Sequence, residues 1–170
     1  NDYIYGSGGN DQIYGESGNY TIYTGNGNTY VETGSGNTIV NGGQGNDTII
    51  AGSGSDSIAT GDGSDSIYSG DGQSTITLGA GNDTVEVGAG ATLYHAGTGQ
   101  EIYSIGVGAG NQTIQGSASA SAVALEFADS SGDVIARDDL SGDLILTNES
   151  SGSQVEVSGY FSGQSNVAVS

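Results

Sequence analysis

GGQGNDTII, at Gly42 to Ile50, is a nine-residue unit that returns along most of the chain. Stepping by nine in both directions keeps its register from Asn1 to Ser104 without a break. With Gly42 as position one, position four is glycine at every ninth residue from Gly9 to Gly99. Such strictness points to backbone geometry that a β-carbon would forbid. Position eight reads Ile4, Ile13, Ile22, Val31, Val40, Ile49, Ile58, Ile67, Ile76, Val85, Tyr94 and Tyr103, always apolar or aromatic and mostly β-branched. That is the inward residue of a short strand. Positions seven and nine are mostly polar or tyrosine, so each repeat reads as a six-residue turn followed by a three-residue strand that buries one side chain.

One such unit cannot stand alone, but stacked units can. Each strand then hydrogen-bonds to the coil above and below, while position-eight side chains from two opposing sheets fill a thin core. Two repeats make one coil, so residues 18 apart lie above one another at about 4.8 Å. A helical reading fails, because there is no 3.6-residue period and glycine at this density costs about 1 kcal/mol per site in a helix. The expected fold is therefore all-β, a parallel β-solenoid with two nonapeptides per coil.

Composition shows what apolar burial cannot supply. The chain has 170 residues, 33 of them glycine, with 34% apolar side chains, too little for a broad globular core. Twenty Asp and Glu face a single basic residue, Arg137, for a formal charge of −19. A compact fold suffers from that self-repulsion unless a counter-charge arrives from outside. Hard carboxylate and carbonyl oxygens favour calcium over zinc, since there is no Cys and only His95 among the softer ligands. Nucleic acid and anionic membranes are poor partners for such a surface, and no apolar run approaches the roughly 18 residues of a membrane span.

Position six carries the acids. Because successive repeats turn on opposite edges of the solenoid, its residues must be sorted into two columns by steps of 18. The first edge runs Asp11, Thr29, Asp47, Asp65, Asp83, Glu101; the second runs Asp2, Tyr20, Thr38, Asp56, Ser74, Thr92. Only the first has adjacent acids, in the pairs Asp47 with Asp65, Asp65 with Asp83, and Asp83 with Glu101. Two carboxylates about 5 Å apart repel each other without a cation between them. Calcium ions are expected there, with Glu101 displaced by its extra methylene, and the second edge is expected to be largely metal-free. Asp11 and Asp56 are single candidate ligands without an acidic neighbour. As plain turn formers, Asp and Asn would instead bond to nearby backbone.

The repeat resembles the GGxGxDxUx nonapeptide of the repeats-in-toxin (RTX) family of secreted bacterial proteins, over about 100 of the 170 residues. The resemblance implies a right-handed parallel β-roll. It also implies that backbone carbonyls at positions two and four of one loop, and one and three of the next, complete each calcium site. In this chain the first pair would use Gly43 and Gly45 with Thr60 and Asp62, and the second Gly61 and Gly63 with Leu78 and Ala80. A further implication is a calcium-triggered module of a larger secreted, extracellular protein, free or associated with the cell surface. Its partners would be calcium, an upstream domain and the type I secretion machinery. The alternative is a face that recognises polysaccharide or ice. Asn1 falls inside a repeat, which suits a piece of a longer chain.

After Ser104 the register slips by two residues, and VGAGNQTIQ at Val107 to Gln115 resumes it with Gln112 at the acid position. The expected organisation is a roll over 1–115, a Gly-Ser-Ala linker over 116–122 and a small β cap over 123–170. Apolar runs at Val123 to Phe127, Val134 to Ile135, Leu144 to Leu146 and Val155 to Val157 suggest short strands, with Ser-Gly turns at Ser131 and Ser151. This segment resembles the one that follows RTX repeats and covers the open end of the roll. No catalytic triad, carboxylate cleft or nucleotide loop can be assembled, so a non-catalytic module is expected. His95 stands alone. Six of the ten tyrosines crowd the first thirty residues, mostly at outward positions, where they read as a stabilising ladder or a sugar platform.

Overall fold

In the computed structural model, residues 1–106, 108–116, 122–127, 134–138, 144–148, 154–158 and 167–169 are described. They contain strands and turns and no helix. In chain order the strands are β1 (Asp2–Tyr5), β2 (Gln12–Tyr14), β3 (Tyr20–Asn26), β4 (Tyr30–Glu32), β5 (Ile39–Gln44) and β6 (Thr48–Ile50). They continue with β7 (Ser57–Asp62), β8 (Ser66–Tyr68), β9 (Thr75–Thr77), β10 (Asp83–Val87), β11 (Leu93–His95), β12 (Gln100–Ile105) and β13 (Gln112–Gln115). The last are β14 (Ala122–Phe127), β15 (Val134–Asp138), β16 (Leu144–Asn148), β17 (Gln154–Ser158) and β18 (Val167–Val169).

Odd-numbered strands up to β13 form one parallel sheet, and even-numbered strands up to β14, joined by β18, form the other. Their register is the 18-residue step read from the sequence: Ile22 lies against Val40 and Val40 against Ile58, as Ile49 lies against Ile67 on the opposite sheet. The slip after Ser104 appears as a change of step, with Tyr94 opposite Ile114. Beyond the repeats, β14 adds to β12 in parallel and β17 adds to β13 in parallel, so the C-terminal segment prolongs both sheets. The strands β17, β16 and β15 then run antiparallel. Ala122 already belongs to β14; linker residues 117–121 and the Ser-Gly turns at Ser131 and Ser151 lie outside the described residues.

The core is the position-eight file, with Ile22, Val31, Ile49, Ile76, Val85, Tyr94 and Tyr103 fully buried between the sheets. The single inward residue expected per repeat is a correction to make, because the chain turns inward at three positions. Position one is also buried (Thr24, Thr33, Ala51, Thr60, Ser69, Leu78), and so is position six (Asp47, Asp56, Asp65, Asp83, Glu101). The turn is tight enough that its first and last side chains both face the interior. Position-four glycine is what permits the coils to stack this closely. Gly63 sits at φ +141°, and a β-carbon there would fall on the carbonyl oxygen of Gly45 in the coil below.

Candidate metal centre

Each loop of the first edge joins an odd strand to the even strand that follows it. At Asp65 the carboxylate turns back toward the previous coil, where its Oδ1 accepts the Asp47 N–H at 2.7 Å. The Asp83 Oδ1 accepts the Asp65 N–H at 2.9 Å in the same way, and Asp47 Oδ1 accepts the Thr29 N–H at 2.8 Å. The result is a ladder in which each acid spends one oxygen on the backbone of its neighbour. Position five runs a ladder in the opposite sense: Asn28 Oδ1 accepts the Asn46 N–H and Asn46 Oδ1 accepts the Ser64 N–H. The amides therefore join coils and do not merely shape their own turns.

The second carboxylate oxygen separates the two edges. Oδ2 of Asp65, Oδ2 of Asp83 and Oε2 of Glu101 are buried without a hydrogen-bond partner, as is Oδ2 of Asp11 at the start of the same edge. A buried, unanswered carboxylate oxygen carries a heavy desolvation cost unless a cation faces it. Burial accordingly pushes Asp65 up to about 6, with a further push from Asp83 and against the opposing pull of the Asp47 N–H and the nearby Thr60 hydroxyl. It pushes Glu101 to about 7, again helped by Asp83, and raises Asp47 and Asp83 as well. Glu101 leaves the ladder: its Oε1 accepts the Gly97 N–H of its own loop at 3.1 Å, as its longer stem requires.

Asp47 and Asp56 are answered from within the protein. The Thr24 hydroxyl, at the level where Thr29 supplies no second acid, shares its one proton between the Gly42 carbonyl at 2.9 Å and Asp47 Oδ2 at 3.2 Å. On the second edge Asp56 Oδ2 accepts from the Thr33 hydroxyl at 2.8 Å and Oδ1 from the Thr38 N–H at 2.8 Å. Gln112 closes the same edge: its Oε1 accepts the Thr92 N–H at 3.1 Å while its Nε2 donates to the Gly90 carbonyl at 2.8 Å. Among the described residues every unpartnered buried carboxylate oxygen is on the first edge; the second leaves only the neutral hydroxyls of Thr38 and Thr92 unpaired at position six.

Calcium fits this donor set. Among the described residues no three acidic, His or Cys side chains converge, so two carboxylates per level must be completed by carbonyls, as a hard oxygen-seeking ion accepts. The carbonyl candidates lie in neighbouring coils, with Gly43 against Gly61 and Asp62 bridged to Ala80. Asp62 O accepts the Gly45 N–H at 3.0 Å, Ala80 O the Gly63 N–H at 2.8 Å and Gly61 O the Ala80 N–H at 3.1 Å. Each of these oxygens keeps a second lone pair. Thr60 and Leu78 sit inward at position one, whereas the Asp62 side chain is exposed and takes no part in the interior.

Sequence reasoning missed Thr24 and Thr33, and it placed Gln112 at the acid position without its bond to Gly90. Their partners lie 22 or 23 residues away, one coil plus part of a loop, a spacing that no local motif displays. The RTX calcium-binding nonapeptide repeat family matches the chain in four copies, over residues 1–31, 23–58, 32–67 and 59–93. No curated protein matches it.

Proposed function

The chain belongs to the RTX calcium-binding nonapeptide repeat family, and on that premise we propose how and where its calcium-binding β-solenoid is used. The repeats are a calcium-binding structural module. The reading for this chain is a folding switch carried by a larger secreted bacterial protein. At low calcium the −19 charge keeps the chain extended and easy to thread through type I export machinery, and outside the cell calcium lets it fold into a rigid spacer for an upstream domain. Catalysis is left to other parts of the parent protein.

The observation that carries this reading is the row of buried, unpartnered oxygens on Asp65, Asp83 and Glu101. Bound calcium supplies positive charge and accepts six to eight oxygen ligands. The chain's own residues do the rest: Asp47, Asp65 and Asp83 hold their neighbours' N–H groups, and the loops present carbonyls at fixed spacing. Chelator should leave circular dichroism of a disordered chain at neutral pH, and millimolar calcium should restore β structure. Identical spectra in the two conditions would refute the switch.

A further inference from the structure

The outer face of the sheet formed by β1, β3, β5, β7, β9, β11 and β13 carries no Asp, Glu, Lys or Arg at positions seven and nine, from Tyr3 to Gln115. The opposite sheet places Glu32, Glu86 and Glu126 outward at the corresponding positions. In a protein of charge −19 the repeat strands of this sheet thus present a neutral face, and the first acid in its outward columns is Glu156 of β17, beyond the repeats.

That neutral face has a built feature at its first coils. Tyr3 and Tyr5 are 67% and 68% exposed, and the Tyr5 and Tyr23 rings stack at 5.1 Å with planes 5° apart. Coil spacing fixes the stack, so the rings lose little freedom when something lies on them. Beside them runs a groove of about 270 Å³, walled by Tyr3, Thr21 and Ile39 from position seven and by Asn19 and Asn37 from position five. The oxygens of both amides are spent on the N–H groups of Asn37 and Ser55, each at 2.9 Å, which leaves the amide N–H groups as donors to a ligand.

Flat rings next to amide donors and hydroxyls suit a sugar, whose C–H faces stack on aromatics while its hydroxyls take hydrogen bonds. Charge selects among glycans: an anionic chain is repelled by the whole protein, and a cationic partner finds no carboxylate on this face. We propose that the outer face of this sheet, around Tyr3, Tyr5, Tyr23 and the groove, binds a neutral polysaccharide.

The test is affinity electrophoresis of the calcium-loaded 170-residue chain through native gels. The gels contain hydroxyethylcellulose, galactomannan or dextran, with hyaluronate as the anionic comparison. At least one neutral glycan should retard the protein and hyaluronate should not. Tyr5→Ala with Tyr23→Ala should weaken that retardation about tenfold. Tyr5→Phe with Tyr23→Phe should largely preserve it, and Tyr14→Ala on the opposite sheet should leave it unchanged. Calcium-dependent circular dichroism of each variant separates a lost surface from a lost fold. No retardation by any neutral glycan, equal retardation by hyaluronate, or a double alanine variant that folds and binds as before would overturn the proposal.

Discussion

The two edges of the solenoid are made from the same nine-residue turn, yet they answer buried charge in opposite ways. On the second edge Asp56 is closed by the Thr33 hydroxyl and the Thr38 N–H, and Gln112 replaces the acid outright. One amide there accepts from the neighbouring backbone, as the carboxylate would. It also donates to a position-four carbonyl, the type of oxygen that the family pattern gives to calcium at Gly45 and Gly63. The first edge keeps three successive acids with an oxygen each left unanswered. A neutral hydroxyl or amide holds the coils together under all conditions. An unanswered carboxylate holds them only when a cation is present, so one edge makes the fold conditional and the other does not.

The widest consequence is a dependence on pH that calcium should erase. Burial raises Asp65 to about 6 and Glu101 to about 7, whereas in the unfolded chain such groups titrate near 4. The folded state therefore binds protons more tightly. The stability this contributes is fully present below pH about 4 and is lost as pH rises through about 6 to 7. In chelator, β structure should accordingly appear on acidification and vanish by neutrality. With calcium bound the carboxylates are held ionised, the signal should stay flat across that range, and calcium addition near pH 6 should release protons measurable in weakly buffered solution. A chelated chain whose circular dichroism does not change between pH 4 and 8 would remove the conditional edge.

Next in size is a pair of variants, one per edge. Asp65 stands between Asp47 and Asp83, so Asp65→Ala removes an acid from two adjacent levels, while Asp56→Ala removes one that protein donors already satisfy. The first should raise the calcium midpoint for folding by about tenfold or more and lower the number of ions bound. The second should leave the number of ions unchanged, move the midpoint far less than Asp65→Ala does, and cost about 1–3 kcal/mol of stability at saturating calcium, because the Thr33 hydroxyl and Thr38 N–H lose their acceptor. Equal calcium midpoints would mean that position-six acids do not govern occupancy.

The register and the position-eight core were open to reading because β-branched residues recur at a fixed period and the 18-residue stack follows from two turns per coil. Sorting acids into columns needed nothing more. Position one was opaque for a physical reason: Thr24, Thr33 and Thr60 look like solvent-facing turn residues, yet each is fully buried with its hydroxyl bonded to another coil. A polar side chain satisfied by a distant partner is indistinguishable in sequence from one satisfied by water. Glu101 could be placed in its column, but its withdrawal onto Gly97 depends on a rotamer.

An acid pair can be transplanted to the second edge. Ser74 already imitates the ladder, its Oγ lying 3.3 Å from the Asp56 nitrogen, and position one of the preceding coil is Ala51, which has no hydroxyl to quench a new charge. Ser74→Asp should recreate on the second edge the relation between Asp47 and Asp65. Calorimetry should then count one additional bound calcium, of lower affinity than the first-edge file. Unchanged stoichiometry would show that edge identity resides in the loop backbone and not in the acids.

The smallest effect should come from the quenching hydroxyl itself. Thr33 Oγ1 donates to Asp56 Oδ2 at 2.8 Å and accepts the Gly52 N–H at 2.9 Å, so it serves one coil in two directions. Valine keeps the buried shape and β-branching but offers neither bond, leaving an acceptor and a donor unanswered. Thr33→Val should lower stability by about 1–2 kcal/mol, read as a shift of the urea midpoint at saturating calcium. The stoichiometry should not change, because Thr38, which precedes Asp56 in the column, provides no second acid for an ion to bridge. If the variant instead bound an extra calcium, Asp56 alone would suffice as a site, and the hydroxyl, more than the missing neighbour, would be what keeps the second edge free of metal.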